Sequence, residues 1–208
     1  LNMDFPRLAG VMVYVGTGQM LGIPDLSSTQ VQTMYGVYDS GTNPSTLKRG
    51  DLEGQSMSAL GTTLRVISGG PIALPTDKGW YVDLSLLSGE RIVTDPRIDS
   101  GAVIATTVQP SSDTCNGGDV AWLMEFNYAG GTFITPQFDT NGNNTLDSGD
   151  TTANGLLLGN VYATQPTILH KSCTTNCVHV KLITESNGSV PNLAERGSQQ
   201  QRLSWREI

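Results

Sequence analysis

Charge is scarce in this sequence of 208 residues: Asp, Glu, Lys and Arg make up 15% of it, and 12 basic side chains face 19 acidic ones. A net charge of −7 without a cluster of Lys or Arg argues against grip on a phosphate backbone, so nucleic acid is not an expected partner. No apolar run approaches the roughly 18 residues of a membrane span, and no charged segment followed by an apolar core opens the chain. Signals for helices are few. Neither GxSxG nor HExxH occurs, which leaves hydrolase chemistry without a visible carrier, and no enzymatic activity is expected.

One stretch imitates a nucleotide-binding enzyme. "VMVYVGTGQMLGIPDLSSTQVQTMYGVYD", residues 11–39, offers a strand, Gly16 and Gly18, and a distant acid in Asp39. The dinucleotide fingerprint fails, however, because Leu21 replaces the third glycine and Pro24 falls where the phosphate-binding helix should run. A glycine-containing turn after a strand is the reading.

What is abundant is turn chemistry. The chain holds 24 Gly and 10 Pro among many Ser, Thr and Asn residues, a composition that predicts short strands joined by polar turns. "YGVYDSGT", "WYVDLSLLSGE", "WLMEFNYAGGT" and, more weakly, "VKLITESNGSV" share an aromatic or aliphatic run ending in an acid before a turn. Their acids, Asp39, Asp83, Glu125 and Glu185, are separated by 44, 42 and 60 residues, the first two intervals matching a propeller blade. The long third interval contains "FDTNGNNTLDSGDTTANG", which reads as an insertion into a loop. Trp80 and Trp122, at matching repeat positions, are expected in the core, and Trp205 in a closing strand. The fold class expected is all-β: a small β-propeller or part of a larger one, with a loop insertion.

Within the insertion, Asp139, Asn141, Asn143, Thr145, Asp147 and Asp150 occupy positions 1, 3, 5, 7, 9 and 12 of an EF-hand-type loop, the ligand positions for Ca²⁺. Asn144 replaces the glycine of position 6, and Asn tolerates the left-handed backbone required there. The short Asp150 replaces a bidentate glutamate, so weak affinity of about 10⁻⁵ to 10⁻³ M is expected. Leu146 is expected to anchor the loop to the core.

"LHKSCTTNCVHVK" allows two readings. As a zinc site it would use Cys and His. As a hairpin centred on Thr175 it would oppose Cys173 to Cys177 and Lys171 to His179, turn His170 to the other face, and put Val178, Val180 and Leu182 opposite the cysteines. The hairpin favours a Cys173–Cys177 disulfide and leaves Cys115 to an outside partner or to competition for one of that pair. In "KRGD", Arg49, Gly50 and Asp51 form a candidate adhesion motif, with a structural turn as the competing reading.

Taken in order, "VYVGTGQMLG", "DLSSTQVQTMYGVYD", "GWYVDL", "GERIVTDPRIDSGAVIATT" and the terminal "SWREI" resemble the C-terminal domain of the PilC/PilY family of type IV pilus tip proteins. The resemblance covers nearly the whole chain, so residues 1–208 read as one propeller-type domain, a fragment of a longer protein. It implies a modified β-propeller at the pilus tip or outer cell surface, calcium-dependent control of pilus extension and retraction, and a role in adhesion. It also implies pilins or minor pilins as partners and a host or abiotic surface as the target. Family members carry calcium loops of this type, and the six residues above match that pattern. Two rival functions share the composition: a periplasmic quinoprotein-like oxidoreductase, which lacks here the adjacent cysteine pair common in those enzymes, and a calcium-dependent carbohydrate-binding module.

Overall fold

The structure, a computed structural model, describes residues 10–42, 46–111, 120–130, 133, 135–171, 173 and 177–198. Cys115 and Trp205 lie outside the described residues. Among the described residues thirteen strands follow one another: β1 (Val11–Gly16), β2 (Thr33–Asp39), β3 (Glu53–Leu60), β4 (Leu64–Ser68), β5 (Gly79–Asp83), β6 (Arg91–Ile92), β7 (Arg97–Asp99), β8 (Ala102–Gln109), β9 (Val120–Asn127), β10 (Gly155–Asn160), β11 (Thr167–Leu169), β12 (Val178–Leu182) and β13 (Asn192–Arg196). The described helices are a four-residue turn, α1 (Ile23–Leu26), and a 3-10 turn over Arg49–Asp51.

Ten strands form one sheet in the order β1-β2-β5-β3-β4-β10-β9-β8-β6, with β7 branching from β8, and β11-β12-β13 form a second sheet of three. Neighbours are antiparallel except β3 and β5. The all-β class is as expected, and a curled large sheet with a small companion is consistent with part of a propeller-like fold.

The spacing of the acids does not correspond to one strand per blade. β2 and β5, which end in Asp39 and Asp83, hydrogen-bond to each other within the large sheet. Glu125 lies inside β9, and Glu185 lies beyond β12 in an isolated bridge with Ala163. Similar local sequences arose because each strand needs an apolar run and a polar exit, a requirement that says nothing about which strands pair.

The centre of the molecule is the β8–β9 pair. Their sequences, AVIATTVQ and VAWLMEFN, lack alternation and are buried nearly throughout, as befits strands covered on both faces. Val103, Ala105, Trp122, Met124 and Phe126 pack with Met34, Trp80 and Val82 in the main core. Ala102, Ile104 and Leu123 point the other way, toward Ile183 beside the small sheet. Trp80 and Trp122 are therefore core residues, as expected.

The glycine turn that imitates a phosphate loop encloses an arginine. Gly18 has φ +139°, and a Cβ there would fall 2.6 Å from the Cβ of Arg91. The Arg91 guanidinium donates to the carbonyls of Gln19, Asp25 and Ser28. Backbone oxygens line this loop where a nucleotide site would present N–H groups.

Candidate metal centre

The insertion between β9 and β10 is held at both ends. At its start Phe138 is buried and bridges Glu195 of β13, and Asp139 N donates to Ala194 O at 2.9 Å. At its end the buried Asn154 joins two strands: its Oδ1 accepts from Ile67 N at 2.8 Å and its Nδ2 donates to Glu125 O at 3.0 Å. Leu146 does not supply the anchor expected of it. It is half-buried and belongs to neither core cluster.

Between these ends the aspartates organise the backbone as Asx turns do. Asp139 Oδ1 accepts from Asn141 N at 3.1 Å and Gly142 N at 2.7 Å, while Oδ2 accepts from Asn144 N at 2.7 Å. Asn144 has φ +60°, the left-handed conformation needed at position 6. From the far end, Asp150 Oδ1 accepts from Thr140 N at 2.8 Å and Oδ2 from Asp147 N at 3.0 Å. Asn143 Oδ1 accepts from Thr145 N at 2.8 Å. Asp147 accepts from Gly149 N, Asn143 Nδ2 and Thr145 Oγ1, and these donors, Gly149 first, hold its carboxyl below the usual carboxylate range.

All six residues singled out in the sequence thus belong to one hydrogen-bonded loop, with Asp139 and Asp150 buried and the others exposed or nearly so. Three carboxylates, two Asn oxygens and a left-handed turn fit a hard, oxygen-seeking cation. The loop's three aspartates are not drawn within 4.8 Å of one another, so binding would require their oxygens to exchange some N–H partners for the ion.

The small sheet departs from the hairpin drawn from sequence. Cys173 and Cys177 do form a disulfide, with Cα atoms 5.6 Å apart. The β11–β12 ladder, however, pairs Leu169 with Val180. Continued by one residue, that register opposes His170 to His179 rather than Lys171, and the two imidazoles meet with ring centroids 4.3 Å apart. A shift of one residue exchanges the faces of a strand. Accordingly His179 and Lys181 are the fully buried residues of β12, while Val178, Val180 and Leu182 are only half-buried.

Lys181 is accommodated because acids meet it from both sides: its Nζ contacts Glu125 of β9 and Glu195 of β13. Burial alone would lower the Lys181 pKa, but the two carboxylates outweigh it and hold it above its ordinary value. Burial, reinforced by Glu125 and Asp99 against the pull of Lys181, pushes Glu195 up to about 7. This cluster was not anticipated. Its signal in the sequence is the acid set inside the apolar run WLMEF, since a buried strand tolerates a carboxylate only with a partner.

Arg49, Gly50 and Asp51 form the exposed 3-10 turn before β3. Arg49 Nη2 pairs with Asp83 Oδ2 at 2.5 Å, its guanidinium lies 3.8 Å over the Tyr81 ring, and Asp51 Oδ2 accepts from Lys48 N at 2.8 Å. Both charged side chains of the motif have structural partners, which agrees with the turn reading.

Comparison with known proteins yields neither a matching family model nor a matching solved structure. It does yield curated relatives. A type IV pilus biogenesis factor PilY1 homolog of Xylella fastidiosa is 31% identical over 132 residues, 59% of this chain and 9% of that protein. Another PilY1 homolog of the same organism is 28% identical over 207 residues, 94% of this chain and 16% of that protein. The type IV pilus biogenesis factor PilY1 of Pseudomonas aeruginosa is 26% identical over 176 residues, 69% of this chain and 15% of that protein. The chain thus spans a small part, between 9% and 16%, of the length of these relatives. These matches support a relationship to the PilY1 family of type IV pilus biogenesis factors.

Proposed function

We propose that this chain is an extracellular module of a type IV pilus biogenesis factor, placed at the pilus tip or outer cell surface, where it contacts pilins or minor pilins and a host or abiotic surface. The observation that carries this reading is the 94% of the chain aligned with a protein named for pilus biogenesis. The Cys173–Cys177 disulfide supports an oxidising, non-cytoplasmic setting. The reading is not enzymatic: the relatives are named for assembly, and the clusters described above organise the fold.

In the same reading, Ca²⁺ is held by Asp139, Asn141, Asn143, Thr145, Asp147 and Asp150 and regulates pilus extension and retraction. The ion would supply positive charge against the three aspartates. The chain's part is to transmit the resulting order, because the loop is fastened to β13 through Asp139 N and to β4 and β9 through Asn154.

The test combines calorimetry and complementation. Calcium should bind the purified wild-type chain with about one equivalent in the weak range of about 10⁻⁵ to 10⁻³ M. Asp147→Ala should weaken binding at least tenfold and, in the full-length protein, impair surface motility in a strain lacking the gene. Unchanged calcium binding in that variant would end the loop assignment. Dehydrogenase turnover with calcium and pyrroloquinoline quinone would instead support the oxidoreductase rival.

A further inference from the structure

A second group of ligand side chains gathers where the two sheets meet, and it draws on three separate elements. β7 and β8 are joined by Ser100 and Gly101, whose φ values of 46° and 87° give the two-residue hairpin turn with left-handed backbone at both positions. That turn places Asp99 at the end of β7. Ser100 Oγ donates to Asp99 Oδ2 at 2.8 Å, and Ser198 N donates to Ser100 Oγ at 2.9 Å, so the carboxylate is held from behind. His170 follows β11 directly, and His179 lies within β12.

We propose that Asp99, His170 and His179 form a zinc site that clamps the small sheet to the large one. Asp99 Oδ2 lies 3.2 Å from His179 Nδ1, and Asp99 Oδ1 lies 3.5 Å from His170 Nε2. A tetrahedral ion with bonds of about 2.0–2.1 Å keeps neighbouring ligands about 3.3 Å apart, so each oxygen of Asp99 already lies near that spacing from one of the two imidazoles. Ligand atoms of all three residues lie within 4.8 Å of one another, and among the described residues no other trio of His, Cys, Asp or Glu is so arranged. Closing the remaining gap between the imidazoles falls to His170, whose side chain is 38% exposed, whereas His179 is fully buried.

A second observation comes from His179. It is fully buried, and its Nε2 has no hydrogen-bond partner. A buried imidazole with one nitrogen unsatisfied is costly. A metal bond at Nδ1 leaves Nε2 as the protonated nitrogen and gives this buried imidazole a stronger tie than its single contact to Asp99, and Ser100 then acts as the outer partner that orients a ligating carboxylate. Two imidazoles and one carboxylate suit zinc and not calcium, which prefers oxygen ligands throughout. The exposed side of His170 leaves the fourth position to water.

The site differs from one built on thiols, because Cys173 and Cys177 are joined to each other. That distinction shapes the experiment. Zinc is titrated calorimetrically into tag-free, non-reduced protein in calcium-containing buffer, and cobalt replaces zinc for absorption spectroscopy. One equivalent should bind, cobalt should give the intense visible bands of tetrahedral coordination, and zinc should raise the melting temperature. His170→Ala and Asp99→Asn should each weaken zinc at least tenfold and abolish its effect on melting, while Asp147→Ala in the calcium loop should leave zinc binding unchanged. His170→Gln provides a second variant at an exposed position should the alanine protein fold poorly. No binding by the wild-type chain, equal binding by both His170 variants, or binding that appears only after reduction would overturn the site; a simple ion pair between Asp99 and the histidines is then the whole of the interaction.

Discussion

Two buried ion clusters flank the central strands, and they are balanced differently. Inside the curl of the large sheet, both carboxylate oxygens of Glu90 accept from Arg65, at 2.5 and 2.9 Å, and Thr107 Oγ1 donates to the same group. The guanidinium also lies 3.8 Å over the Trp122 ring. One cation meets one anion there, and a hydroxyl adds to the carboxylate, although Arg65 Nε has no partner. At the junction with the small sheet, Lys181 faces both Glu125 and Glu195, with Asp99 near enough to act on Glu195, and Glu195 Oε1 has no partner. Acid exceeds base. A balanced buried pair fixes a core, whereas an unbalanced one stores a proton whose release depends on pH.

The sharpest way to break this comparison is at the balanced pair. Glu90→Ala leaves a guanidinium buried without its counter-ion and should cost about 3–5 kcal/mol in urea denaturation. Replacing Arg65 and Glu90 together with Leu or Met should recover much of that loss, since the desolvation of two charges disappears with them. At the junction the expected effect is smaller and depends on pH. Folded Glu195 keeps its proton up to about 7, whereas the unfolded chain releases it near 4.5. The folded state therefore binds more protons between those values, and stability falls as pH rises through that window, by at most about 1.4 kcal/mol per pH unit. Glu195→Gln should flatten this slope. A slope that survived the substitution would move the stored proton to another group.

The sequence made some of this legible and concealed the rest for identifiable reasons. The calcium-type loop could be read because its logic is local: each side-chain oxygen meets backbone a few residues away, so spacing determines geometry. The all-β class followed from turn residues for the same reason. Strand order did not, because β2 pairs with β5 across a long connection and β3 runs parallel to β5, choices made by the large core. The small sheet shows the limit most clearly. Val178, Val180 and Leu182 suggest the buried face of β12, but the surface waiting for that strand carries Glu125, so His179 and Lys181 turn inward instead. Asp99, far along the chain from His170, could join it only through the β7–β8 turn and the docking of one sheet on the other.

Arg49 and Asp83 extend the comparison to a cluster at the surface. Hydrogen bonding to Arg49 and Thr33 overcomes partial burial and holds Asp83 below the usual carboxylate range. Both side chains are more than a third exposed, at 43% and 37%, so solvent screens the pair. Arg49→Ala should lower stability by no more than about 1 kcal/mol, including the contact with Tyr81. If Arg49→Ala also left attachment of piliated cells to surfaces unchanged, the turn reading of Arg49-Gly50-Asp51 would stand alone; lost attachment with intact stability would restore the adhesion motif.

The smallest effect on global stability is expected at the rim of the junction, where Cys173 and Cys177 close a ring across a separation of four residues. A ring so short removes little freedom from the unfolded chain, so its contribution belongs near the low end of the roughly 0–5 kcal/mol range. Cys177 nevertheless connects to the buried cluster, because its carbonyl accepts from Gly197 N at 2.8 Å just beyond β13. Replacing both cysteines with serine should therefore leave the melting transition nearly unchanged while raising hydrogen exchange over residues 170–180 and at Gly197. The covalent premise is checked by non-reduced peptide mapping, in which free thiols at both positions, or Cys115 joined to either, would remove it. Unfolding of the whole domain in the double variant would show that the rim, and not the charge clusters beneath it, holds the small sheet in place.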